Sequence, residues 1–231
     1  MAAPEGAAVK PGAETGDPYA PWWEHNLIVF DVETTGLETE DRVVELGLAR
    51  FEKGVCVDQW GSLVHPGMEI PAEATSIHGI STADVASAPP FTGALPPILR
   101  IARDAWPVAY NANFDRRFWM QEMGRLAVTD LTIPIFDPSF RWLDPIVWVR
   151  KIRGVWGKNK LGLACEHFGV PLDNAHRASA DALATGRLLF AIRSHMPPWT
   201  MTELLRRQHN LDQQQDKERR AWYAKKGIPY K

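Results

Sequence analysis

Residues 27–37 read LIVFDVETTGL, an unbroken apolar run that stops at Asp31 and leads into a Thr-Thr-Gly turn. Such a run suits a strand buried on both faces. Asp31 and Glu33 flank Val32 at the C-terminal end of that strand, and side chains two apart on a strand share a face. Two neighbouring anions repel unless something positive lies between them. Hard divalent cations such as Mg²⁺ favour carboxylate oxygens. The competing reading is an acidic strand end entering the Thr34-Thr35-Gly36 turn.

Working outward, residues 42–51 (RVVELGLARF) and 55–64 (VCVDQWGSLV) predict two more strands, joined at Lys53-Gly54 in a hairpin. The three form a meander with the first strand central. Helical apolar spacing follows over 96–105, then a fourth strand at 106–110 (WPVAY), a helix over 113–126 and a short fifth strand at 133–136. Further helices are expected over 142–152, 161–168 and 179–195, the last stopped by Pro197-Pro198. This order predicts an α/β domain, a mixed sheet of about five strands flanked by helices. Residues 1–21 hold little to bury and read as a disordered tail, with Trp22 and Trp23 marking first contact with the fold. The domain is expected over 22–196. Residues 197–231 form a compositionally distinct extension with a glutamine run at Gln213-Gln214-Gln215. Within it, Thr200-Met-Thr-Glu203 has the pattern of a capping box.

Composition narrows the function. Over 231 residues, 45% hydrophobic and 23% charged, the formal net charge is −2. That excludes a protein held on nucleic acid by bulk positive charge but leaves a local basic groove available. Only two cysteines, Cys56 and Cys165, exclude a disulfide framework. No apolar run reaches the roughly 20 residues of a membrane span, so no membrane association is expected. The N-terminus lacks the basic start and apolar core of a secretory signal. The expected location is the cytoplasm.

Further acids punctuate the chain. Asp115 opens the helix after the fourth strand, where an acid also suits the helix dipole. Asp181 shares a helix face with Thr185, Leu188 and Ile192. That face looks buried, and an unpaired buried carboxylate needs a partner or a metal. His176 lies five residues earlier in a polar approach. It reads either as a loop cap or as a general base taking a proton from water. Residues 150–160 (RKIRGVWGKNK) carry five basic residues and no acid, suited to a phosphate backbone or to a solvated helix end.

Read together, FDVETTGL at 30–37, NANFD at 111–115 and HRASAD at 176–181 resemble the DnaQ-like 3′→5′ exonucleases of the DEDDh group, with IHGIS at 77–81 in support. The resemblance covers roughly residues 25–195 and implies a ribonuclease H-like fold. It makes Asp31, Glu33, Asp115 and Asp181 the metal carboxylates and His176 the general base. Arg177 stands where the sister group has tyrosine, which favours the histidine class, and Tyr110 stands where many relatives have histidine. It implies two divalent cations, Mg²⁺ with Mn²⁺ able to substitute, one acidifying the attacking water and one stabilising the leaving 3′-oxygen. Asp31, central on the strand, is the expected bridging ligand.

Thr34, Thr35, Gly36 and Leu37 are expected to hold the terminal nucleotide, with Leu37 wedged against its base. His78, Asn111 and Phe114 complete the substrate set, Phe114 either stacking on a base or packing beside Phe118. The implied substrate is nucleic acid with a free 3′ end, single-stranded DNA foremost. In replicative proofreaders, sequence beyond the domain binds the polymerase, a role open to 197–231; a helix folded back on its own domain or a solvated tail is the alternative. Exoribonuclease activity like that of ribonuclease T or oligoribonuclease is the nearest rival. A catalytically silent binding module is the rival from another class.

Overall fold

The computed structural model describes residues 17, 19–126, 135, 137, 139–154 and 159–229. At its centre is β1 (Leu27–Thr34), paired antiparallel with β2 (Val43–Glu52) and parallel with β4 (Trp106–Ala109), while β3 (Val55–Leu63) forms the far edge beside β2. Lys53 and Gly54 both have positive φ, 50° and 86°, as a tight hairpin matched to strand twist requires.

Both faces of the sheet are covered, which is why β1 begins as a continuous apolar run. Leu27 and Val29 face α6 (Ala178–Ala191) and the start of α7 (Met201–Lys226), with Ala49, Phe51 and Val108 in the same cluster. Ile28, Phe30 and Val32 face α2 (Phe91–Ala102) and α3 (Ala112–Arg125). The period of two therefore assigns Asp31 and Glu33 to the α6 face. The strand outlasts its apolar run and carries both acids, as the sequence predicts. It runs on to Thr34 because β2 pairs with it throughout, Asp31 opposite Gly47 and Glu33 opposite Glu45. β4 stops earlier, opposite Phe30, so the acidic half of β1 emerges past its parallel neighbour. Crevices at such carboxyl ends are where open α/β sheets bind ligands.

Several boundaries move for identifiable reasons. α2 starts at Phe91, five residues before the expected 96, since Phe91, Ala94, Ile98 and Ile101 make a buried stripe that outweighs Pro96 and Pro97 within the helix. A seven-residue helix that the sequence reading left out, α1 (Ala72–His78), ends at Gly79 in the left-handed region. α4 runs Pro145–Arg153, not from 142, because Asp144 caps it with Pro145 at the first helical position. Leu143 instead makes a single parallel bridge to Val108 beyond β4. The expected fifth strand at 133–136 lies largely outside the described residues. Among those described, the sheet has four strands. α5 (Leu161–Phe168) matches its expected bounds, and the helix expected over 179–195 is α6 followed by a 3-10 turn at Ile192–His195.

Trp22 opens a short 3-10 turn (Trp22–Glu24) and donates from its backbone N to Trp199 O at 2.9 Å. α7 is nucleated by a complete capping box at Thr200 and Glu203. Its Met201, Leu204 and Leu205 enter the same core as β1. Both cysteines are free thiols.

α6 approaches the sheet so closely that a methyl group at Gly47 would collide with the Ala178 backbone, whereas nothing lies within 4 Å of one at Gly124 on exposed α3 surface. Gly47→Ala is expected to lower the melting midpoint by roughly 5 °C or more. Gly124→Ala is expected to raise stability by about 0.5–1 kcal/mol. Calorimetry of both variants checks the pair, and a neutral Gly47→Ala would contradict this seating of α6.

Candidate active site

Close backbone approach, turns of positive φ and bonds between carboxylates and backbone amides deliver the acids to one place. Glycines at 47 and 61 let the first turn of α6 lie on β2 and β3, where a Cβ at Gly61 would stand 2.9 Å from that of Ser179. Glu45 Oε2 accepts from Ala178 N at 3.1 Å, and Gln59 Nε2 donates to Ser179 O at 2.9 Å, pinning that turn. Asp181, one turn on, is thereby held over β1. Ahead of the helix His176 adopts φ 66°, and its backbone N donates to Asp181 Oδ2 at 3.1 Å.

Asp115 arrives from the opposite face. Asn111, at φ 68°, turns the chain out of β4 into α3. Asp144 accepts from Asn111 N at 3.0 Å and Ala112 N at 2.9 Å, satisfying the orphan amides of that helix start. Asp115 Oδ1 then accepts from Val32 N at 3.1 Å, the amide between Asp31 and Glu33. That amide lies beyond the end of β4, so the carboxylate replaces a missing ladder partner.

The resulting cluster is strongly anionic. Asp31 keeps a small opening to solvent, yet dense packing around its carboxyl raises its pKa well above the usual range, helped by repulsion from Asp115, Asp181, Glu33 and Glu45. Glu33 is pushed up to about 7, by burial first and then by Asp181 and Glu45, with Arg177 opposing. Burial also raises Asp115 and Asp181, in part countered by the amides of Val32 and His176. Glu45 is raised by burial too, despite Arg177 at 3.9 Å.

Glu33, His176 and Asp181 each present a ligand atom, all within 4.8 Å of one another. Asp181 Oδ1 is buried with no hydrogen-bond partner. A concentration of hard oxygen donors with an orphaned buried oxygen among them fits a divalent cation. Asp31 and Asp115 fall outside that compact triad but within electrostatic range of it.

The neighbouring turn is built for rigidity. Thr34 Oγ1 donates to Gly36 O at 2.7 Å and Thr35 Oγ1 to Asp41 Oδ1 at 2.7 Å, so both hydroxyls are committed within the loop. A Cβ at Gly36 would overlap the Asp41 carboxylate. Leu37 is 67% exposed, and Arg117 Nη2 donates to its carbonyl at 2.8 Å. His78 is buried beneath the turn. Its Nδ1 accepts from Ile80 N at 3.1 Å, which leaves the Nε2 proton facing Thr34 O at 3.3 Å. Burial lowers its pKa. His78 thus supports the turn from below instead of facing solvent. Phe114 is half-buried against Phe118, ring centroids 5.0 Å apart. Of the basic run, Arg150 and Arg153 lie near enough to Tyr110, the residue before Asn111, to act on its hydroxyl, and Tyr110 donates to Asn159 O at 2.7 Å. Residues 155–158 of that run lie outside the described residues.

Glu45 and Asp144 lie outside the three sequence motifs. Glu45 becomes significant only once pairing sets it opposite Glu33. Asp144-Pro145 carried a legible signal, an N-cap followed by proline. Among the described residues no helix is long and apolar enough to cross a membrane.

Comparison with known proteins bears on this arrangement. The sequence profile of the exonuclease family RNase_T matches residues 28–189. The chain is similar to the PolC-type DNA polymerase III of Streptococcus thermophilus, 32% identical over 168 residues, and to that of Clostridium perfringens, 32% over 170 residues; in each case 72% of this chain is covered. It spans only 11% of the length of those polymerases. Among solved structures, exonuclease X in complex with 5′-overhanging duplex DNA aligns at TM-score 0.58 and 23% identity, covering 78% of this chain and 99% of that one. The nuclease domain of 3′hExo, a DEDDh family member bound to rAMP, aligns at 0.62 and 15%, covering 80% and 97%. Escherichia coli exonuclease I with a dT13 oligonucleotide aligns at 0.63 and 17%, covering 73% and 41%. These structural likenesses are of fold.

The raised Glu33 pKa has a consequence for stability. A carboxyl that holds its proton more tightly when folded contributes stability below its ordinary value of 4.5, lost as the pH rises through about 7. With chelator present, the melting midpoint is expected to fall between pH 5 and pH 8, and Glu33→Gln to flatten that fall. Mg²⁺ or Mn²⁺ is expected to raise the midpoint more at pH 8 than at pH 5, where protons compete for the ligands. An equal metal effect at both pH values would rule out the acid cluster as the binding site.

Proposed function

Since this chain belongs to the RNase_T exonuclease family and has the fold of the DEDDh 3′→5′ exonucleases, we propose that it shortens DNA from the 3′ end, releasing nucleoside 5′-monophosphates. The observation that carries this reading is the convergence of Glu33, His176 and Asp181 within 4.8 Å, with Asp31 and Asp115 repelling the same group. The catalytic unit is residues 22–196, and 197–231 is its extension.

In this reading Asp31, Glu33, Asp115 and Asp181 would hold two divalent cations, Mg²⁺ or Mn²⁺. When bound, these supply Lewis acidity for the attacking water and for the leaving oxygen. The chain's own groups do the rest. A ring nitrogen of His176 takes a proton from water; the water oxygen bonds to the terminal phosphorus as the bond from phosphorus to the preceding nucleotide's 3′-oxygen breaks. That 3′-oxygen leaves protonated from solvent. Exposed Leu37, braced by Arg117, wedges against the last base. Thr34, Thr35 and Gly36 keep the turn backbone in place for the 3′ end, with His78 beneath. Asn111 and Phe114 line the approach, and basic residues of the 150–160 run track the incoming phosphates.

DNA is favoured over RNA because the relatives at 32% identity are DNA polymerases by name. A polymerase partner would meet the distal part of α7 and the residues just after it, where Trp222 and Ile228 are exposed.

Asp31→Ala is expected to leave no measurable turnover and a melting midpoint unchanged or raised, since it removes one anion from a repelling group. His176→Ala is expected to lose about 10²–10⁴-fold in kcat with metal affinity retained. End-labelled single-stranded, duplex and mismatched DNA beside RNA, with and without chelator, reads both variants. Retained activity in Asp31→Ala would overturn the assignment, and preferential loss of RNA would move the substrate to RNA.

A further inference from the structure

α7 lies wholly beyond residues 28–189, the part matched by the family profile, yet it reaches the acid cluster through two hydrogen-bonded links. Leu204, Gln208, Leu211 and Gln215 recur at offsets of four, seven and eleven, one seam of a helix. Two positions on that seam are glutamine where apolar residues would bury at lower cost. Each amide is committed to the backbone of the 142–147 segment. Gln208 Oε1 accepts from Asp144 N at 2.8 Å, and its Nε2 donates to Trp142 O at 3.0 Å. Gln215, buried, donates from Nε2 to Val147 O at 2.9 Å.

Asp144 and Trp142 both link this segment to the site, beside the backbone bonds of Leu143 to Pro107 and Ala109 in β4. The Asp144 carboxylate receives Asn111 N and Ala112 N, and Asp115 lies three residues into that helix, with Oδ1 on Val32 N. The Trp142 ring lies 5.0 Å from Phe30, which precedes Asp31. Gln208 therefore grips the residue that starts α3 and the residue that supports β1 at the same time.

We propose that Gln208 is a positioning residue for the nuclease reaction: through Asp144 it sets the start of α3 and hence the placing of Asp115 against Asp31 and Glu33. The proposal rests on the exonuclease reading for its kinetic consequence, but not for its structural one. Gln208 touches neither substrate nor metal ligand. Its absence loosens the helix start instead of removing a reacting group.

The test compares Gln208→Met with Gln215→Met, which deletes the single amide bond from the same seam to Val147 O, three residues beyond Asp144, and leaves the contacts of Gln208 with Asp144 N and Trp142 O in place. Gln208→Asn, a methylene short of both backbone groups, is a second variant and is expected to behave as Gln208→Met. In metal-free full-length protein, the amides of Asn111 and Ala112 are expected to exchange at least about tenfold faster in the Gln208 variants and at wild-type rate in Gln215→Met. On a DNA substrate, the Gln208 variants are expected to lose about tenfold or more in kcat with KM within about twofold, since small misplacements at a reacting centre are costly. Unchanged exchange at Asn111 and Ala112, or identical losses in Gln215→Met, would overturn the proposal. Wild-type turnover, measured in parallel, reports separately on the exonuclease reading.

Discussion

Carboxylates crowded at the end of β1 repel one another in a place where burial strengthens the repulsion, and much of the molecule is arranged to hold them there. Burial is the largest cause of the raised pKa of Asp31, Glu33, Asp115 and Asp181 alike. A chain left to itself would separate these groups or protonate them. Here the elements that carry them are anchored by packing and by backbone amides that donate to the carboxylates of Glu45, Asp115, Asp144 and Asp181. Holding ligands in place before a cation arrives lowers the ordering cost of binding, as preorganisation does at other sites.

β1 serves two purposes on one period. Leu27 and Val29 bury against α6, and two and four residues further along the same face stand Asp31 and Glu33. The hydrophobic half fixes the strand, and the acidic half inherits its position. Gly47, opposite Asp31 in register, removes the side chain that would hold α6 away, so that Asp181 closes over the strand. Glu45, opposite Glu33, adds to the negative field and caps the first turn of that helix. Backbone proximity and charge density thus come from the same short part of β2.

The substrate side has a different character. Thr34 and Thr35 spend their hydroxyls within the loop and His78 spends its ring on the Thr34 carbonyl. What the turn presents outward is backbone and one apolar side chain, Leu37. Under the proposed reading, a surface of that kind suits a nucleotide end of any base.

Much of this was legible in the chain itself. The apolar run, the 53–54 hairpin, the acids on strand and helix starts and the capping box at Thr200 follow from local periodicity and backbone preference, which act within a few residues. The three motifs carried the family. Periodicity could not show the register that sets Glu45 opposite Glu33, because that is fixed by pairing between β1 and β2. Nor could it reveal Glu45 and Asp144 as neighbours of the site, or Gln208 as a partner of Asp144. Those contacts join residues between 12 and 133 positions apart in sequence, or depend on strand register. Local sequence chose the elements and the chemistry they bear; only tertiary packing, which sums weak contacts across the whole chain, decided which carboxylates share one field and what holds them there.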